Sequence, residues 1–417
     1  MKTVPKNIQI KKLSEGAYGC VFRPGIECDG KIMQTDDYIT KIQKKKRFSR
    51  YDDSSITEKE VKIGNKIKKI TNYADFFAPI VESCPISISK MSNQGELKKC
   101  ELIDNEMTGN KIPEEFDSNK IKYAGKNSLS DYLLSKRSVI LKSFLEKQID
   151  ILESLQLLYD SGVIHFDLKE NNIICKDKTG APVIIDFGLS IDIDALNKYS
   201  METLGKFFYV YAPDYGPWCI DICVLSYIAN KLDESRRLAK ITQSEISEII
   251  LEFINKNGAI NKLLDSIQKE ALKKTLMDYF VPFITKTWKE LVDELLKYKN
   301  TWDNYSLVII YLFLYYDLYL DTYEAKFQPL VEYKALMMSM ILLPPSERLP
   351  INATIEKIKA IFSNIKKTDL YKMRVDLKSN FSDIANVNKI KKNLGQSKMI
   401  SLQQQDALFS TIDIATR

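Results

Sequence analysis

His165-Phe166-Asp167-Leu168-Lys169-Glu170-Asn171-Asn172 contains the only histidine of the chain, and fourteen residues beyond it stands Asp186-Phe187-Gly188. An aspartate, a lysine, an asparagine and a second aspartate in this order supply the parts that phosphoryl transfer needs. One carboxylate accepts a proton from a hydroxyl, an asparagine and the second aspartate hold magnesium, and a lysine stands beside the moving phosphoryl group. Any one of these residues alone reads as a solvated charge. The ordered set does not.

Such groups need rigid elements to hold them. Ile8 to Leu13 alternates like a strand, Gly16-Ala17-Tyr18-Gly19 makes a turn, and Cys20-Val21-Phe22 leads out as a second strand. Tyr38 to Ile42 reads as another strand. A charged helix is expected from about Thr57 to Ile70, with Val61, Ile63, Ile67 and Ile70 near helical spacing. Ala78 to Val81 and Pro85 to Ile88 are strand-like, and the polar stretch 92–119 reads as a loop insertion. A long amphipathic helix follows, with Phe144, Gln148, Ile151, Leu155 and Leu158 down one face and Gly162 as its stop. Ile173 to Cys175 and Val183 to Ile185 form a hairpin that delivers Asp186. Beyond Gly188 the chain reads as mainly helical to about 365.

The segments H-F-D-L-K-E-N-N and D-F-G resemble the H-R-D-L-K-x-x-N and D-F-G motifs of eukaryotic-type protein kinases. The resemblance implies a two-lobed α+β fold, with a small N-terminal β-sheet lobe carrying one main helix and a larger, mainly helical C-terminal lobe. It assigns Asp167 to orient and deprotonate the substrate hydroxyl, Lys169 to steady the γ-phosphate, and Asn172 and Asp186 to bind magnesium; His165 is structural. Leu13-Ser14-Glu15-Gly16-Ala17-Tyr18-Gly19-Cys20-Val21 is similar to the kinase glycine-rich loop, with Ser14 in place of the first glycine. Lys41 takes the place of the lysine that neutralises the α- and β-phosphates, and Glu60 that of its helix partner, with Glu58 the alternative. The backbone around Lys122 to Ala124 is the expected adenine hinge, and ATP would lie between the lobes. Ala212-Pro213-Asp214 and Pro344-Pro345-Ser346-Glu347-Arg348 resemble two later kinase segments, which implies an Asp214–Arg348 ion pair. Asp221 matches the buried aspartate that starts the central helix and holds the catalytic-loop backbone.

Departures from the pattern carry information of their own. Phe166 replaces the arginine that, in kinases, often binds a phosphate on the activation loop, so activity should not depend on phosphorylation through that contact. Lys169 points to serine/threonine acceptors. From Asp221 to Arg348 is 127 residues, about twice the family span, so 235–320 is read as a helical insertion that could recognise a protein partner. These features and an Ile/Lys/Asn-rich composition look like the divergent kinases of large cytoplasmic DNA viruses.

The expected domains are therefore 8–122, 123–366 and a polar tail, 367–417. At 417 residues, with 45% hydrophobic and 28% charged residues, the composition is that of a globular protein. The net charge of +6 is dispersed lysine and gives no reason to expect nucleic-acid binding. Leu307 to Leu314 is too short to span a bilayer, and the N-terminus has no apolar leader. The seven cysteines form no C-x-x-C pair and are read as reduced thiols of a cytoplasmic protein, in host cytoplasm or virion if viral. The function expected is Mg-ATP-dependent phosphorylation of a protein substrate. The alternatives are a pseudokinase scaffold, set against retention of Lys41, Asp167, Asn172 and Asp186, and a small-molecule kinase, set against Lys169 and Arg348.

Overall fold

The computed structural model describes residues 9–16, 19–45, 47–49, 52–88, 94–108, 116–134, 138–363, 365 and 374–376. They fall into two compact units. The first holds the described residues up to Gly125 together with Ile185–Gly188; the second holds Lys126–Ile184 and the described residues from Leu189 onward. The break lies at 125/126.

The first unit is built on an antiparallel sheet of β1 (Lys11–Gly16), β2 (Gly19–Arg23), β3 (Tyr38–Lys44), β4 (Ile80–Ile86) and β5 (Phe116–Lys122), in the order β1-β2-β3-β5-β4. The β1–β2 hairpin closes with Gly16 opposite Gly19; Ala17 and Tyr18, at its tip, lie outside the described residues. Gly19 is required by the sheet itself, since a Cβ there would sit 2.0 Å from the Ile42 carbonyl oxygen. The helix Ile56–Ile67 starts on a capping box between Ser55 and Glu58 and buries Ile56, Glu60, Ile63 and Ile67 at helical spacing.

Two expectations are corrected in this unit. The stretch 92–119 is not simply a loop: it forms helices at Gln94–Leu97 and Glu101–Thr108 and then enters β5. Leu97, Cys100 and Ile103, three apart, turn inward and join a core with Phe22, Ile42 and Phe116. Polar composition hid a narrow apolar stripe. The cysteines are not all reduced either: disulfides join Cys20 to Cys100 and Cys28 to Cys84, leaving Cys175, Cys219 and Cys223 as buried thiols. The fold brings together cysteines 80 and 56 residues apart, which spacing rules cannot anticipate.

The second unit is mainly helical. The helix Leu141–Asp160 is followed by Gly162 at φ 83°, the left-handed conformation of a glycine stop. The strands Ile173–Cys175 and Pro182–Ile185 pair as the expected hairpin. Helices follow at Ile220–Lys231, Gln243–Lys256, Gly258–Leu263, Ser266–Phe280, Trp288–Leu295, Trp302–Asp317, Gln328–Leu342 and Ile351–Ser363. Capping boxes at Thr242/Glu245, Asp265/Gln268 and Thr287/Glu290 start three of them. The Trp302–Asp317 helix is apolar on every side and buried along almost its whole length, as a central helix must be. Of the expected tail, Arg374–Asp376 pairs with Ser138–Ile140; residues 377–417 lie outside the described residues. Among the described residues no helix is long and apolar enough to cross a membrane.

Candidate active site

In the first unit, Lys41 stands on β3, opposite Val21 of β2 and Asn119 of β5. Its Nζ donates to Asp186 Oδ1 at 2.9 Å and lies 3.5 Å from Glu60 Oε2. Glu60 comes from the Ile56–Ile67 helix and is 2% exposed; Glu58 is spent on the helix cap. Burial alone would depress the Lys41 ammonium, but Asp186 and Glu60 outweigh it and hold it above the usual lysine range. For Glu60 burial dominates and pushes the carboxyl up, partly offset by Lys41. Asp186 sits at φ 64°, and the buried Phe187 ring after it meets Phe77 edge-on at 6.2 Å. A lysine between two carboxylates is a fixed positive charge that phosphate oxygens can share.

The other nucleotide-contact candidates lie along this sheet. Leu13 is half exposed on β1, Gly16 and Gly19 close the hairpin, and Val21 is on β2. Lys122 ends β5, Ala124 lies just beyond, and the Tyr123 N–H between them donates to Asp37 O at 2.8 Å.

In the second unit the Asp167 carboxylate is held at both oxygens. Oδ2 accepts Lys169 Nζ at 2.9 Å and Asn172 Nδ2 at 3.4 Å; the same Asn172 nitrogen donates to the Asp167 carbonyl at 2.9 Å. Oδ1 accepts the Tyr215 hydroxyl at 2.5 Å. Asn172 commits its NH₂ to Asp167, so its amide oxygen is the atom left for a cation. An amide oxygen is a hard donor of the kind that magnesium takes.

The backbone beneath this loop is held by a residue that the sequence reading missed. Asp303, in the first turn of the Trp302–Asp317 helix, accepts the N–H of His165 on Oδ2 at 2.7 Å and of Phe166 on Oδ1 at 2.8 Å. Burial pushes the Asp303 carboxyl up, and His165 and the two N–H groups offset part of that rise. Phe166 sits at φ 68° with its carbonyl accepting Trp218 Nε1 at 2.9 Å. Its ring is 1% exposed and meets Trp218, Phe208 and Trp302 at centroid distances of 5.0, 5.8 and 6.2 Å. Phe166 is thus held in an aromatic cluster of Phe208, Trp218 and Trp302.

Two assignments change accordingly. Asp303, at the head of the Trp302–Asp317 helix, and not Asp221, accepts the catalytic-loop N–H groups. Arg348 pairs with Asp221, not Asp214, and Asp221 also accepts Trp302 Nε1 at 3.0 Å. Asp221 is 0% exposed, and a buried guanidinium goes to the buried carboxylate, whereas Asp214 stays partly exposed. The available signal for Asp303 was an aspartate at the head of the most apolar run in the chain. Nothing in sequence marked Tyr215.

Residues 8–215, about half of the chain, match the family model described as the protein kinase domain. Over 74 residues the chain is 31% identical to the membrane-associated tyrosine- and threonine-specific cdc2-inhibitory kinase of Drosophila melanogaster, covering 18% of this chain and 14% of that protein. Over 77 residues it is 32% identical to the probable serine/threonine-protein kinase fnkB of Dictyostelium discoideum, again 18% and 14%. The matched stretch spans about a seventh of the length of these curated relatives. With an antiparallel sheet in one unit, a helical second unit and the match over 8–215, the chain carries a protein kinase domain of α+β fold.

Proposed function

We propose that the chain is an active protein kinase that transfers the γ-phosphoryl group of Mg-ATP to serine or threonine hydroxyls of a protein substrate. The observation that carries this reading is Lys41 held between Asp186 and Glu60, a charged arrangement that a binding scaffold has no need to keep. Lys41 neutralises the α- and β-phosphates, and β1 and β2 cover them. The backbone at 122–124 meets adenine. Asp167 orients the acceptor hydroxyl and takes its proton as the oxygen bonds to the γ-phosphorus and the bond to ADP breaks; Lys169 balances the charge that develops. Magnesium, held by Asp186 and the Asn172 amide oxygen, would spread the phosphate charge.

Serine/threonine preference rests on Lys169. Independence from activation-loop phosphorylation rests on the Phe166 cluster, which packs by apolar contact and offers no cation to a phosphate. The likeness to kinases of large DNA viruses rests on the H-F-D-L-K variant, the enlarged helical region and the composition. A cytoplasmic placement agrees with Cys20–Cys100 and Cys28–Cys84 only where those thiols meet an oxidant.

The deciding experiment incubates the full chain with radiolabelled Mg-ATP and protein acceptors. Label should appear on serine or threonine and fall at least about a hundredfold in Asp167→Ala and Asp186→Asn. ATP binding without transfer to any acceptor would instead indicate a scaffold, and label confined to a small molecule a metabolite kinase.

A further inference from the structure

The Tyr215 hydroxyl on Asp167 is not an isolated contact. Asn257 Nδ2 donates to the Tyr215 carbonyl at 3.1 Å and to the Trp218 carbonyl at 3.4 Å. Asn257 is 1% exposed and lies between the Gln243–Lys256 and Gly258–Leu263 helices. Its Oδ1 accepts the N–H groups of Ala259 and Ile260 at 3.0 and 3.1 Å, so one side chain ties the start of a helix to the backbone of 215–218. The neighbouring Gly258 N–H donates to Asp214 O at 3.1 Å, and the Tyr211 hydroxyl donates to Glu252 at 2.6 Å. The Tyr215 ring packs edge-on against Trp218, with centroids 5.2 Å apart.

We infer that Tyr215 and Asn257 are positioning residues for phosphoryl transfer: Tyr215 fixes the Asp167 carboxylate through its hydroxyl, and Asn257 fixes Tyr215. The inference rests on the kinase reading above and goes beyond it by giving the helical region after the activation segment a part in the chemistry. The torsion of an aspartate carboxyl about its last bond is soft. Lys169 and Asn172 tether Oδ2 only, so without Tyr215 the carboxylate swings about that tether. Counting donors shows why Tyr215 holds the group without blocking it. Oδ2 accepts two donors and is filled, whereas Oδ1 accepts one and keeps a lone pair for the substrate hydroxyl. Tyrosine donates here, so it does not compete for the proton that Asp167 receives.

The test is steady-state kinetics of the full chain with Mg-ATP, using dephosphorylated casein and the chain itself as acceptors. Tyr215→Phe keeps the ring and removes the hydroxyl; kcat should fall about tenfold or more, with KM for ATP and the melting temperature unchanged. Asn257→Asp keeps the helix cap but loses the donor, and should show the same loss in kcat alone; Asn257→Ser serves if that variant does not fold. The double variant should be no slower than Tyr215→Phe, because both changes cut one linkage. A Tyr215→Phe enzyme as fast as the parent, or faster, overturns the inference, as do losses that multiply in the double variant or a change in KM without one in kcat. An inactive parent chain would overturn the kinase reading itself, which is a separate outcome.

Discussion

Asp303 holds Phe166 by its backbone N–H at 2.8 Å, across 137 residues of chain, while keeping the His165 N–H on its other oxygen. The contact fixes a residue at φ 68°, a conformation that a phenylalanine adopts only when its surroundings impose it. Asp303→Ala should therefore release the catalytic loop. The expected result is a loss of about 1–3 kcal/mol in stability and at least a tenfold fall in kcat, with ATP affinity held within about twofold. Urea unfolding, kinetics and nucleotide titration together check it.

Arg348 and Asp221 form a fully buried ion pair, so removing one partner strands the other charge. Burial opposes the Arg348 guanidinium, and Asp221 more than restores it, holding it above its ordinary range. Arg348→Met should cost about 3–5 kcal/mol in urea unfolding. The Asp221→Leu/Arg348→Met double variant should recover much of that loss, because no buried charge remains.

Phe166 replaces a charge contact by packing. Phosphatase treatment should leave the transfer rate unchanged. Phe166→Ala should lower stability by about 3–5 kcal/mol, through the cavity left among Phe208, Trp218 and Trp302. Phe166→Arg should destabilise too, by burying a guanidinium among aromatic rings, and should not create a dependence on phosphate. Thermal unfolding reads the stability losses, and the transfer rate before and after dephosphorylation reads the phosphate dependence.

Burial pushes the Asp317 carboxyl up to about 6, with Lys262 pulling weakly the other way. The unfolded chain loses that proton near pH ~4, so between about 4 and 6 the folded state holds a proton that the unfolded state has released. Stability should fall as pH rises through this window and level off above it. Solvent access at this partly exposed residue limits the effect to about 1–2 kcal/mol. Asp317→Asn should remove the slope and be the more stable protein at pH 7, as followed by melting temperature across pH.

Alkylation reports the cysteine state. Without reductant, the denatured chain should label at Cys175, Cys219 and Cys223 only; reduction first should add Cys20, Cys28, Cys84 and Cys100. Burial pushes the Cys219 thiol up to about 12, and Cys223 is pushed up further, so neither should label in the native protein. Peptide mass mapping distinguishes the three conditions.

What could be read from sequence followed from how far each interaction reaches along the chain. Asp167, Lys169 and Asn172 lie within six residues, and their hydrogen bonds to one another make a local pattern. Gly162 is also a local device; the Ser55/Glu58 cap, by contrast, emerged only in the structure, where it occupies Glu58 while Glu60 faces Lys41. Partners chosen by burial were harder to assign. Asp214 and Asp221 are equally acidic in sequence, and only packing shows which one meets Arg348. The Leu97-Cys100-Ile103 stripe was missed because a polar background concealed three inward positions, and the disulfides because their cysteines lie 80 and 56 residues apart. Tyr215 was illegible because its role depends on Asn257, 42 residues later.

The span between His165 and Asp303 also sets an order of events during synthesis. At ribosomal speeds of about 5–20 residues per second, the catalytic loop waits roughly 7–28 s for its carboxylate to emerge. Until then its N–H groups have only water, and the region behaves as a tethered, unfinished fold. A protein cut at residue 215, where the matched segment ends, would be frozen at that stage: it would contain every motif of the catalytic loop but neither Asp303 nor Trp218, which hold its backbone. The useful expression boundary for this chain therefore lies past the Ile351–Ser363 helix, well beyond the segment that matches the family.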